Sequence, residues 1–163
     1  MPLIKDRLVV ENSWTHIEDG EFHATPNGIT VPFEHFLDNR EALLARNSKV
    51  GVRLSPENDP HELAENLGEL DLIEISFPKY TDGRGYSQAQ LLRRRLGYKG
   101  ELRAVGHVLR DQILYMNRSG FDAFETERAE LPSVLEALEE YSAFYQLAAD
   151  EAVPVFRLRH AEG

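Results

Sequence analysis

Apolar positions fall in short blocks that switch between a period of two and a helical period. Residues 50–54, 72–77 and 101–105 read as strands. After the first, Asp59-Pro60-His61-Glu62 supplies an N-cap, a proline at N1 and a capping-box glutamate for a helix to about Gly68. After the second, Ser87 is placed to cap a helix with Gln90 reaching back, Tyr86 and Leu91 forming a hydrophobic staple and Gly97 closing the helix as a C′ glycine. After the third, Leu109, Ile113 and Met116 share one helical face, and Ser119-Gly120 stops that helix.

The flanks follow the same logic. Leu8-Val9-Val10 and Trp14-Thr15-His16-Ile17 are short extended segments ended by Asp19-Gly20, which makes residues 1–32 an N-terminal arm or hairpin. Residues 28–32 form a further short strand, and Phe33, Phe36, Leu37 and Leu44 mark a first helix through about Arg46. Residues 121–124 are strand-like, Ser133 with Glu136 opens a last helix to about Ala149, and residues 153–158 return as a final strand. Strands alternating with helices at intervals of about 25 residues are the product of right-handed crossovers. The expected fold is therefore α/β: one domain over residues 1–163, with βα repeats over 50–158 around a short, largely parallel sheet. That sheet is either half-barrel-like or small and open, and a half-barrel would leave edges that a homodimer could cover.

Composition narrows the function. A net charge of −10 repels phosphate backbones, so nucleic acid is not an expected partner. No window is long and apolar enough to span a bilayer and no export signal opens the chain, so the expected location is the cytoplasm. The absence of cysteine excludes a thiol nucleophile, disulfides and thiolate-held clusters. Basic residues nevertheless concentrate in the middle third, at Arg84, Arg93, Arg94, Arg95, Lys99, Arg103 and Arg110.

Two segments there carry candidate chemistry. Asp82-Gly83-Arg84-Gly85-Tyr86-Ser87-Gln88 follows a strand and opens a helix, which places it at the C-terminal strand edge where α/β proteins bind ligands. Gly83 and Gly85 permit close backbone approach, Arg84 brings charge, and helix-start amides favour an anion. The alternative is a glycine-rich turn with Asp82 and Arg84 merely solvated. The second segment, Arg103 to Gln112, also passes from strand to helix, so Arg103, Gly106, His107 and Arg110 could converge with Arg84 on one small anion. Alternatively, Arg110 and Asp111 are the polar face of a first helical turn. Asp82, His107 and Asp111 are the acid–base candidates.

Other chemistries lack their motifs. Gln88 stands where a dinucleotide fingerprint needs its third glycine, and there is no Walker loop. His16, His23, His35, His61, His107 and His160 show no one-turn ligand spacing, so no metal site is expected, and no serine elbow is present. Glu125 and Glu127 read more simply as solvated loop acids, and Val134, Leu138, Tyr141 and Tyr145 as core packing.

Asp82 to Ala89, Leu91-Leu92-Arg93, Gly100 to Gly106, Leu109-Arg110-Asp111-Gln112 and Gly120 to Phe124 together resemble the bacterial family catalogued as domain of unknown function 934. The motifs span residues 77–125, and the N-terminal half matches more loosely. Members of that family are labelled oxidoreductases of sulfite reduction, because their genes lie beside that of the sulfite reductase haemoprotein. The resemblance implies an accessory role in assimilatory sulfur metabolism, with that haemoprotein as partner and an oxyanion or related small molecule as ligand. Arg84, Arg103 and Arg110 would supply charge, Gly83 and Gly85 backbone access, and Ser87 the helix start, with Asp82 and Asp111 orienting the arginines. No cofactor is expected, since neither thiolate ligands nor a flavin fingerprint is present. The competing expectations are an independent enzyme acting on a small anionic or phosphorylated substrate, and a purely structural partner of the haemoprotein.

Overall fold

The computed structural model describes residues 2–126 and 130–139. The strands are β1 (Leu3–Lys5), β2 (Leu8–Val10), β3 (Thr15–His16), β4 (Ile29–Pro32), β5 (Val50–Leu54), β6 (Leu72–Phe77), β7 (Glu101–Gly106) and β8 (Ala123–Glu125). The helices are α1 (Phe33–Asp38), α2 (Arg40–Leu44), a 3₁₀ helix (Pro60–Glu69), α3 (Arg84–Gln90) running into a π turn (Leu91–Arg95), α4 (Arg110–Ser119) and α5 (Leu131–Glu139). All eight strands belong to one sheet, in the order β2-β1-β8-β7-β6-β5-β4-β3.

From β4 to β8 the strands are parallel and adjacent in chain order, with no reversal. That is the winding of a barrel rather than of a doubly wound sheet, so the α/β half-barrel expectation holds. The N-terminal strands close most of the remaining gap. β1 pairs antiparallel with β8, and β2 follows it through a two-residue turn at Asp6 and Arg7, both with positive φ. β3 then pairs with β4 at the opposite edge. Five residue steps from Val10 to Thr15 reach at most about 18 Å. The edges of a flat eight-stranded sheet would lie about 34 Å apart. The sheet is therefore strongly curled, and residues 11–14 bridge its two edges.

Strand alternation gives the sheet two unlike faces. Val52, Leu54, Ile73, Ile75, Phe77, Leu102, Ala104 and Phe124 form one core with Phe36, Leu43, Leu63, Leu92, Ile113 and Met116 from the helices. The other, inward face carries Thr30, Arg53, Glu74, Arg103 and Lys5. Asp59 caps the 3₁₀ helix through the His61 amide (3.0 Å), with Pro60 at N1 as expected, although the segment winds as 3₁₀ rather than α. The first helix is broken at Asn39 into α1 and α2. Gly97 and Gly120 take positive φ where their helices end. The expected strand at 153–158, and Tyr141 and Tyr145, lie outside the described residues, whereas Val134 and Leu138 are buried in the core as expected.

Candidate functional site

Three side-chain amides tie together the loops at the C-terminal edge of the parallel strands. Asn58 accepts from the Ser55 amide (2.7 Å) and donates to Glu34 at the start of α1 (2.8 Å). Gln88, buried on α3, donates to the carbonyls of Ser55 and Asn58 (both 2.8 Å). Gln112 on α4 donates to the Tyr80 carbonyl in the loop after β6 (2.6 Å). The rim is thus built from the loops after β4, β5 and β6, held by residues of the following helices.

Arg84 stands on this rim with its side chain 57% exposed. Its Nε and Nη2 grip the two oxygens of Asp82 at 3.0 and 2.6 Å, and Glu57 lies 3.4 Å from Nη2. The bidentate hydrogen bonds from the guanidinium, reinforced by the Arg84 amide, pull the Asp82 carboxyl down to about 2. Asp82 accepts from that amide at 3.1 Å, and α3 starts at Arg84 after Gly83, four residues earlier than a Ser87 cap implies. Ser87 therefore lies exposed inside the helix and caps nothing, and Tyr86 is a helical residue packed edge-on against Phe77 at 5.4 Å.

The two glycines serve different ends. A Cβ at Gly83 would meet nothing within 4 Å, whereas one at Gly85 would lie 2.6 Å from the ring of Phe77. Gly85 is thus a packing residue that lets α3 close on the sheet. Gly106 has φ +93°, and a Cβ there would come within 2.6 Å of the Phe77 carbonyl oxygen, which accepts from the His107 amide at 2.8 Å. His107 and Asp111 are exposed on this rim, and Arg110 donates from Nε to the Ser133 carbonyl of α5 (3.1 Å).

Arg103 is elsewhere. It is 1% exposed on the inward face of β7 and shares no partner with Arg84, so the expected convergence of the two on one anion does not occur. The cause is strand alternation, which turns Arg103 inward while the rim is built by loops. Across β5, β6 and β7, Arg53, Glu74 and Arg103 stand in one register row. Glu74 takes Arg53 Nε at 2.8 Å and lies 3.5 Å from Arg103 Nη1, and His16 from β3 comes within 4.0 Å. Glu101 takes Arg103 at 2.7 and 3.0 Å and Lys5 at 2.7 Å. Burial pushes the Glu101 carboxyl up, but hydrogen bonding from Lys5 and the Arg103 charge outweigh it and hold it below the usual range. Lys5 is raised in turn, chiefly by its hydrogen bond to Glu101.

A cavity of about 390 Å³ opens on this inward face near the N-terminal ends of β5, β6 and β7. Its walls include Leu3, Lys5, Trp14, Asp71, Glu101 and Arg103. Sequence reasoning missed it. The available signal was charge within three otherwise apolar strands: Arg53 in β5, Glu74 in β6, and Glu101 with Arg103 in β7. Among the described residues no three His, Asp or Glu side chains gather as a metal site, and no helix is long and apolar enough to cross a membrane. Glu125 lies on β8, and Glu127 is outside the described residues.

Fold and site together define a barrel-like βα-repeat protein with a tied C-terminal rim and an ionic interior. The chain belongs to the family described as bacterial protein of unknown function (DUF934), whose sequence profile matches residues 51–156. No curated protein matches the sequence.

Proposed function

We propose that this is an accessory protein of assimilatory sulfur metabolism that supports sulfite reduction through the C-terminal rim of its sheet. The observation that carries the reading is the exposed guanidinium of Arg84, fixed by Asp82 and set on the rim with exposed apolar side chains. Tyr80 is 60% exposed, Leu109 39% and Tyr115 65%. Gln112 binds the loop of Tyr80 to the helix that Leu109 precedes, and Tyr115 follows Gln112 by three residues on the same side of that helix. Tyrosine, leucine and arginine on a rigid support are the makings of a protein contact. Asp82 and Glu57 already engage Arg84, so a free oxyanion must compete with two carboxylates. That balance favours a macromolecular contact over tight capture of a small anion. The tie to sulfite reduction comes from the family resemblance.

The alternative of an independent enzyme on a small anionic or phosphorylated substrate rests on the same rim. With its carboxyl down to about 2, Asp82 is a poor proton shuttle near neutrality, which leaves His107 and Asp111 for that role. The test is retention of the sulfite reductase haemoprotein on immobilised protein at low and high salt, beside Arg84→Ala and Tyr80→Ser. Salt-sensitive retention lost in both variants is expected. Retention by neither the wild type nor the variants would overturn the accessory reading and turn attention to small-anion turnover.

A further inference from the structure

The sheet ends at β2 on one side and at β3 on the other. β3 is two residues long and carries Thr15 and His16, a short polar edge that offers little to a further strand. β2 is unlike it. Leu8, Val9 and Val10 are consecutive and apolar, with no proline or charge among them, and Leu8 and Val9 are 65% and 51% exposed. The Thr126 amide donates to the Pro2 carbonyl (3.1 Å), so by strand alternation Ile4 also turns its backbone polar groups to β8, whereas Leu3 and Lys5 turn theirs to β2. Their partners Val10 and Leu8 are thereby satisfied, and the N–H and C=O of Val9, opposite Ile4, point away from β1. Among the described residues, no backbone hydrogen bond outside the β1–β2 ladder reaches residues 8–10.

We propose that β2 is the docking edge for a second copy of this chain, paired antiparallel about a two-fold axis at Val9. In that register Val9 exchanges its N–H and C=O with Val9 of the second copy, and Leu8 lies opposite Val10 on either side of the axis. One step further out, Arg7 comes opposite Glu11 of the second copy, and the axis repeats that contact at the other end. Both residues are exposed, and among the described residues neither has an ion-pair partner. The order arginine, three apolar residues, glutamate is complementary to its own reverse, and a one-residue slip would lose the match. That self-complementarity selects a second copy over an unrelated extended peptide. An edge of three residues makes a small interface, so the dimer is of the weak, concentration-dependent class.

The experiment measures the mass of the full chain by sedimentation from about 1 to 500 µM. A monomer–dimer equilibrium is expected. Arg7→Glu and Glu11→Arg each set like charges against one another at both ends, and each should weaken association by about tenfold or more. Mixed one to one, the two variants should associate again, because each supplies the charge that the other lacks. Val9→Pro removes an N–H that makes no bond to β1, so it should abolish the dimer while the circular dichroism of the chain stays unchanged. Arg84→Ala should have no effect, which separates this edge from the rim. A wild type that is monomeric throughout that range, a dimer that survives Val9→Pro, or single variants that do not associate when mixed would overturn the proposal.

Discussion

Glu74 stands directly across from Arg103 on the β6–β7 pair and from Arg53 on the β5–β6 pair, and it is 2% exposed. Three charges of alternating sign thus cross the inward face in one row, and each arginine reaches the same carboxylate.

Removing that carboxylate leaves Arg53 facing no acid in the row, and leaves Arg103 with Glu101 as its remaining acid and Asn12 as a neutral partner. Breaking a buried pair from one side costs about 3 kcal/mol. Glu74→Gln should lower the urea-unfolding free energy by about that amount. Arg84→Ala, which breaks only an exposed pair, should leave it almost unchanged. Equal effects of the two substitutions would show that the row is not under strain when broken.

Gly85→Ala should cost about 2 kcal/mol, because the added methyl meets a Phe77 ring already held against Tyr86 and Phe121. Gly83→Ala should be neutral or slightly stabilising: its φ is −84° and nothing lies within 4 Å. Thermal melts of the two variants give the contrast. A stable Gly85→Ala would return that glycine to a ligand-approach role.

Asp82 should titrate far below an ordinary carboxylate. Its folded pKa is depressed, so whatever the pair with Arg84 adds to stability is complete above the unfolded value. It fades as pH falls from about 4 to about 2. Carboxyl-carbon NMR should show this, with Arg84→Ala moving the midpoint up toward the normal range. An unchanged midpoint would mean that Arg84 does not hold Asp82 in solution.

The repeating architecture was legible because the central parallel strands are short apolar blocks and the helical segments that follow β5, β6 and β7 carry a cap or a glycine stop. The strands at residues 50–54 and 72–77 fall where their hydrophobic runs put them. The start of α3 differs from the expected one because Ser87 and Gln90 mimic a capping box, while Asp82 takes the Arg84 amide and the helix begins four residues earlier. The rim was placed correctly from the strand-to-helix transitions. Arg103 was assigned to it because sequence spacing gives the strand but not which face meets the helices. That face is set by the register with Glu74, which becomes visible only when the strands pair. The cavity depends on residues far apart in the chain, such as Lys5 and Glu101 at 96 positions, and no local pattern announces such a pairing.

The family profile begins at residue 51, yet β1 to β4 all lie before it and belong to the same sheet. β4 covers the free edge of β5 and β1 that of β8, and Leu3, Ile4, Ile29, Val31, Phe33 and Phe36 are all buried. A fragment of residues 51–163 would expose both edges, lose those six side chains from the interior, and leave Glu101 without Lys5 and Arg103 without Asn12. It should therefore associate or fail to melt cooperatively, as judged by gel filtration and circular dichroism, whereas the full chain melts in one transition. A monomeric fragment with a sharp melt would make the N-terminal strands an addition to a self-sufficient sheet, and would remove the bridge at residues 11–14 from the requirements of the fold.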